Sequence, residues 1–196
     1  MVNTTRLDKD KDGGAEMDAM RTRLSVINGL GFVTTESQTG LKSFHTVRVG
    51  RNRGKRAENW QRAYIRGIMD RRHAERFLSA MVPENGLVVI VKEFPAKWLS
   101  EAADKQVHRI PVTMERLGAD PFEVHSILQM CASTFEAEWI GLLPEVLEQW
   151  GDISSQGARR VRRDCVYVCV LDTIWGRRHS LFSTIRRRLE QTIKPI

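Results

Sequence analysis

Between Trp60 and Met81 the apolar residues Trp60, Ala63, Tyr64, Gly67, Ile68, Ala74, Phe77, Leu78 and Met81 recur three and four apart. That spacing gathers side chains on one face of an α-helix. No other stretch narrows the possible folds as much, because a long amphipathic helix needs a partner for its apolar side. The spacing predicts a helix from about Glu58 to Met81, stopped by Val82-Pro83. On the opposite side Arg62, Arg66, Arg72, Arg76 and His73 form a comb of cationic groups. The segment that feeds it carries Arg48, Arg51, Arg53, Lys55 and Arg56 and is punctuated by Gly40, Gly50 and Gly54, which reads as an exposed basic loop. Within it, Phe44, Thr46 and Val47 suit a short strand. An ordinary solvated helix face explains the comb about as well as a binding surface does. The use of arginine favours the binding surface, because guanidinium grips phosphate through two parallel hydrogen bonds.

Charge is arranged in blocks. Residues 1–47 are neutral, 48–76 carry a net +7, 77–158 carry −7, and 159–196 carry +7 again. The second basic block opens with Arg159, Arg160, Arg162 and Arg163 and includes Arg186 and Arg187. The acidic block contains Glu136, Glu138, Glu145 and Glu148. One acidic block cannot neutralise two basic ones, so the expected partners are polyanions: nucleic acid, or the anionic face of a membrane. The same arithmetic predicts self-association, with those four glutamates meeting a neighbour's basic block in a contact that repeats without closing. No apolar run approaches the ~20 residues of a membrane-spanning helix. The opening MVNTTRLDKDKDGG is too polar for a secretory signal, and three cysteines give no disulfide framework, so a reducing compartment is expected.

The remaining elements also read as helices. Residues 1–14 form a polar tail, followed by a helix over Glu16 to Ile27 that Gly29 and Gly31 end. Leu87 to Val91, LVVIV, is either a buried strand or a buried helix segment. Ala96 to Gln106 reads as helical, and Arg109-Ile110-Pro111 marks a boundary. Asp120-Pro121-Phe122-Glu123 has the form of a capping box for a helix that turns Val124, Ile127, Leu128, Cys131 and Phe135 inward. Glu138 to Trp150 follows as another helix. Ser154-Ser155 caps a helix that begins with the arginines and continues through DCVYVCVLDTIW, where helical spacing is favoured over strand spacing. A last helix runs along SLFSTIRRRLEQTI. The expected fold is all-α, with two helical subdomains over 15–108 and 111–196 packed together and one short β-segment near 87–91 left open.

No phosphate-binding loop, nucleophile elbow or zincin motif is present, and a non-enzyme without cofactor is expected. Cys165 and Cys169, four apart, would share a helix face. With His179, and Cys131 or His125, they could approach one zinc ion. Their valine neighbours favour core packing, and no metal is assigned. The tryptophans at 60, 98, 139, 150 and 175 are spread through the chain instead of alternating with the arginines. That distribution counts against a stacking platform for single-stranded nucleic acid.

Four segments resemble the matrix proteins of orthomyxoviruses, in a short version like that of the fish-infecting branch. They are Leu30 to Val33 with its Thr-rich turn, the arginine-rich helix, Gly141 to Leu143, and the cysteine-bearing helix running to Arg177-Arg178-His179-Ser180. The resemblance implies an all-helical structural protein beneath the viral envelope. Such a protein self-assembles into a layer, touches anionic phospholipid and binds RNA or ribonucleoprotein. It would occupy the virion interior, the host cytoplasm and inner membrane face, and the nucleus where arginine clusters direct import. The contrasting reading is a nucleic-acid-binding regulatory protein that uses the arginine-rich helix.

Overall fold

A computed structural model describes residues 12–48, 50, 52–93, 107–117, 123–131, 155–177 and 180–193. Two strands at its centre decide the architecture: β4 (Tyr64–Asp70) and β8 (Cys165–Asp172). They pair antiparallel from Tyr64↔Leu171 to Asp70↔Cys165. Each is buried on both faces. Ile65, Met69, Val166, Val168 and Val170 point into one core, and Tyr64, Ile68, Tyr167, Cys169 and Leu171 into another. A strand buried on both sides loses the polar alternation that marks a half-exposed one.

The all-α expectation is therefore overturned. Eight strands form two antiparallel four-stranded sheets among the described residues. The first sheet is ordered β1-β4-β8-β5, with β1 over Phe32–Gln38 and β5 over Leu87–Glu93. The second is β2 (Leu41–Thr46), β3 (Arg56–Gln61), β6 (Val107–Leu117) and β7 (Glu123–Cys131). The predicted arginine helix divides into β3, β4 and a short helix α2 (Arg71–Met81), which Asp70 caps by accepting the His73 backbone N–H. The cysteine-bearing segment and the helix expected after the capping box are strands β8 and β7. The LVVIV run lies within β5. Helical readings hold for α1 (Asp12–Gly29), α3 (Ser155–Asp164, which stops before the cysteines) and α4 (Ser180–Ile193). The helices expected over 96–106 and 138–150 lie outside the described residues.

Helices α1, α2 and α4 cover one face of the first sheet. Ile27, Phe77, Met81, Leu181, Phe182, Ile185 and Leu189 meet Phe32, Ile65 and Val168 in the main core. Val112 of β6 and Leu128 of β7 pack on the other face, so part of the second sheet backs the first. These layers do not separate into helical subdomains.

The sheets share one long hairpin. β1 and β2 run out and β3 and β4 return, paired from Phe32↔Met69 to Gln38↔Tyr64 and again from Leu41↔Gln61 to Thr46↔Arg56. The pairing breaks at Thr39-Gly40 and Arg62-Ala63, where the strands pass from one sheet to the other. This hinge is stapled. Gln38 Nε2 donates to the carbonyls of Arg62 (2.9 Å) and Val112 (3.1 Å), and the Arg62 N–H donates to Val112 (2.9 Å). The loop after β8 closes over it. Gly176 N donates to the Gln61 carbonyl (2.9 Å), and a side chain at Gly40 would collide with the Arg177 carbonyl. Asp172, fully buried, accepts two hydrogen bonds from Arg177 (2.6 and 2.8 Å) and holds that loop in shape.

Candidate nucleic-acid interface

Beyond the hinge, β2 and β3 form an arm that leaves the Tyr64 end of β4. Its tip turns through Asn52-Arg53-Gly54, with Gly50 and Gly54 at φ of 79° and 83°. Glycine suits both positions because side chains are strained in that region. Val47 closes the turn by donating to the Lys55 carbonyl (2.9 Å) and accepting from Gly54 (2.8 Å).

Strand alternation sorts the arm's side chains into two faces. One row holds Ser43, Asn59 and Glu115, and the next holds His45 and Ala57. Asn59 Nδ2 meets His45 Nδ1 at 3.2 Å, and His45 Nε2 lies 3.7 Å from Glu115. The other face carries Lys42, Phe44 and Thr46 opposite Trp60, Glu58 and Arg56. Here cations and rings alternate. The Arg56 guanidinium lies 4.2 Å from the centre of the Phe44 ring, and the Lys42 ammonium lies 5.4 Å from Phe44 and 4.0 Å from Trp60. Glu58 accepts the Trp60 indole N–H at 3.1 Å and stands 3.8 Å from the Lys42 ammonium, fixing both. Phe44 is 47% exposed, high for a large apolar side chain in a strand. Arg48, Arg53, Lys55 and Arg56 are exposed around the tip; Arg51 lies outside the described residues.

The comb does not form. Arg62 and Arg66 belong to the hinge and to β4, so they cannot line one helix face with Arg72 and Arg76. Arg62 lies 4.2 Å over the Trp175 ring and donates to the Pro111 carbonyl (3.2 Å). Burial pulls its guanidinium below the ordinary value, with the charge of Asp172 opposing. Arg66 turns toward the second sheet and pairs with Glu36, which also accepts the Tyr64 hydroxyl. Arg72 and Arg76 are exposed on α2, and Arg160 and Arg163 on α3. Arg159 and Arg162 lie in α3 with side chains outside the described set. Arg186 pairs with Glu190 (2.8 Å), while Arg187 and Arg188 converge on Glu84 (both 2.7 Å). Burial would raise the Glu84 pKa, but the hydrogen bonds from Arg188 and Arg187 outweigh it and hold the carboxyl below its usual range. Glu136, Glu138, Glu145 and Glu148 lie outside the described residues.

The cysteine pair separates for the same reason as the comb. Four residues along a strand span about 13 Å, whereas four along a helix span about 6 Å. Cys169 is buried in the inter-sheet core, where desolvation pushes its thiol up to about 12. Among the described residues no three His, Cys, Asp or Glu side chains gather as a metal site would require, and no helix is long and apolar enough to cross a membrane.

Sequence reasoning missed Lys42, Phe44 and Trp60 as a group. One signal pointed to them: the glycines at 50 and 54 that flank the turn between the two segments. The protein thus defined is a layered α/β chain with a basic, ring-bearing β-arm. It belongs to the DUF6919 family, a domain of unknown function, whose match covers residues 7–192. No curated protein matches the chain.

Proposed function

We propose that this protein binds single-stranded nucleic acid along the outer face of the β2–β3 arm. The observation that carries the reading is the exposed Phe44 ring set between the Arg56 and Lys42 cations, with Trp60 one step further. A base has a π-face of its own, so the exposed Phe44 ring can accept an unstacked base beside the half-buried Trp60 while neighbouring cations take the phosphates. Arg48, Arg53 and Lys55 at the tip extend the cationic track. Such a surface tolerates many sequences, because stacking and charge are common to every nucleotide.

Fluorescence anisotropy with a short oligouridine, the matching duplex and acidic liposomes tests this proposal. The single strand should bind more tightly than the duplex, and Phe44→Ala should weaken it about 5- to 150-fold, the range for one stacked base. Equal binding of all three polyanions, with no effect of Phe44→Ala, would leave only nonspecific charge and return the membrane to first place among partners.

A further inference from the structure

A second cationic surface lies at the far end of the first sheet. The ladder pair Asp70↔Cys165 places the start of α2 beside the end of α3, because α2 begins at Arg71 and α3 ends at Asp164. Arg71 acts electrostatically on both Asp164 and Cys165, and Arg160 acts on Asp164, so the two helices form one charged neighbourhood. Arg72 and Arg76, one helical turn apart on α2, are exposed, as are Arg160 and Arg163 on α3. Asp164 offsets one of these charges through its two hydrogen bonds with Arg163 (2.7 and 2.8 Å). Asp70 and Glu75 are exposed on the α2 side, and against these three carboxylates stand Arg71, Arg72, Arg76, Arg160 and Arg163, so an excess of guanidinium remains. Neither helix exposes an aromatic ring: α3 has none, and the one phenylalanine of α2, Phe77, is fully buried.

This surface is the chemical complement of the arm, with cations and no rings. It suits phosphates in a backbone whose bases stay stacked, as in a duplex. It is also separated from the arm by the length of the sheet. The arm leaves beside Tyr64 and Leu171, whereas the helices meet beside Asp70 and Cys165, at the other end of the same two strands. From Arg56 to Asp70 the path along β3 and β4 measures up to about 46 Å.

We propose that the α2–α3 junction is a second nucleic-acid site that grips duplex backbone without reading bases, so that one chain tethers a duplex to a single strand held on the arm. The inference rests on the arm reading for its single-strand half. Capture on beads tests it. A biotinylated oligouridine is loaded with protein, and a short fluorescent DNA duplex is then offered. The wild-type protein should retain the duplex. A protein carrying Arg72→Gln, Arg76→Gln, Arg160→Gln and Arg163→Gln should load onto oligouridine within about twofold of wild type yet retain at least about tenfold less duplex, because its backbone contacts are gone. All four side chains are exposed, and circular dichroism checks that the variant is folded.

Duplex retention undiminished in the quadruple variant would overturn the site, pointing to the arm or to association between chains. Failure of wild-type protein to retain duplex, although it loads onto oligouridine, would overturn it too. Anisotropy with each probe separately tells the failures apart. Phe44→Ala lowers oligouridine binding alone if the arm reading holds, and the quadruple variant lowers duplex binding alone if the second site holds. Acidic liposomes that displace the duplex while oligouridine stays bound would reassign the junction to a lipid surface.

Discussion

Arg56 reaches diagonally across the β2–β3 ladder to lie 4.2 Å over the Phe44 ring, although its direct partner in register is Thr46. A diagonal of this kind is within the reach of a long side chain on a twisted pair of strands. It leaves the ring nearly half exposed and braced by charge. Binding energy would then come from stacking, and the surrounding cations would supply attraction that salt weakens.

Salt dependence should reveal how many tip cations touch phosphate. For single strands the slope of log affinity against log salt is about −0.7 per phosphate neutralised. Arg53→Gln with Lys55→Gln should therefore flatten the slope by about 1.4 while leaving the preference for single strand over duplex in place. An unchanged slope would show that the tip lies clear of the ligand.

The arginines of the abandoned comb should separate by effect. Arg62→Gln with Arg66→Gln removes the Trp175 stack, the Pro111 hydrogen bond and the Glu36 pair. That double variant should lose about 2 kcal/mol or more in urea unfolding. Arg72→Gln with Arg76→Gln should stay within about 0.5 kcal/mol of wild type, as exposed substitutions do.

Asp172 and Arg177 should respond unequally, because their burial is unequal. The carboxylate is 0% exposed and the Arg177 side chain 32%. Arg177→Met leaves a charge buried without its partner and should cost about 3 kcal/mol. Asp172→Asn leaves a guanidinium that can turn to water, so the loss should be smaller. Equal losses in urea unfolding would mean that the loop, not the charge, sets the energy.

His73 should make the protein less stable in acid. Its Nε2 lies 2.9 Å from Thr192 Oγ1, whose own proton goes to the Leu189 carbonyl (2.7 Å), which places a proton on Nε2. Burial, helped by Arg76 and opposed by Asp70, holds its pKa below the ordinary value of about 6.5. Above about pH 6.5 neither the folded nor the unfolded chain is protonated at this ring, and its contribution is whole. As pH falls from there toward the lowered native value, the unfolded chain takes up the proton first and stability drops; below that value the loss levels off. Urea unfolding at about pH 7.5 and 5.5 should show a drop that His73→Gln makes smaller. A drop of the same size in the variant would assign the acid sensitivity elsewhere.

Which elements were legible in the sequence follows from how each is buried. α4 shows one apolar face, Leu181, Phe182, Ile185 and Leu189, because only one face meets the core. β4 and β8 meet a core on each side, so Tyr64, Ile65, Ile68 and Met69 fall by chance at a spacing that also suits a helix. Helical spacing through β4 would put Arg62 and Arg66 on one face with Arg72 and Arg76, a face that the strand does not form. The arm was hidden differently. Phe44 and Trp60 come to one face only through strand pairing, and pairing between residues far apart in sequence leaves no local periodicity for Lys42 and Arg56 to reveal. What could be read directly was the chemistry of the stretch from 42 to 56: cations, glycines for a turn, and an apolar ring with no core to enter.

If bases stack on the arm, zero-length photocrosslinking reads this most directly. Ultraviolet irradiation of the oligouridine complex, followed by peptide mass spectrometry, should place the adducts on Phe44 and Trp60, with loss of the Phe44 adduct in Phe44→Ala. Adducts confined to α2, α3 or α4, with none between Leu41 and Gln61, would contradict the account.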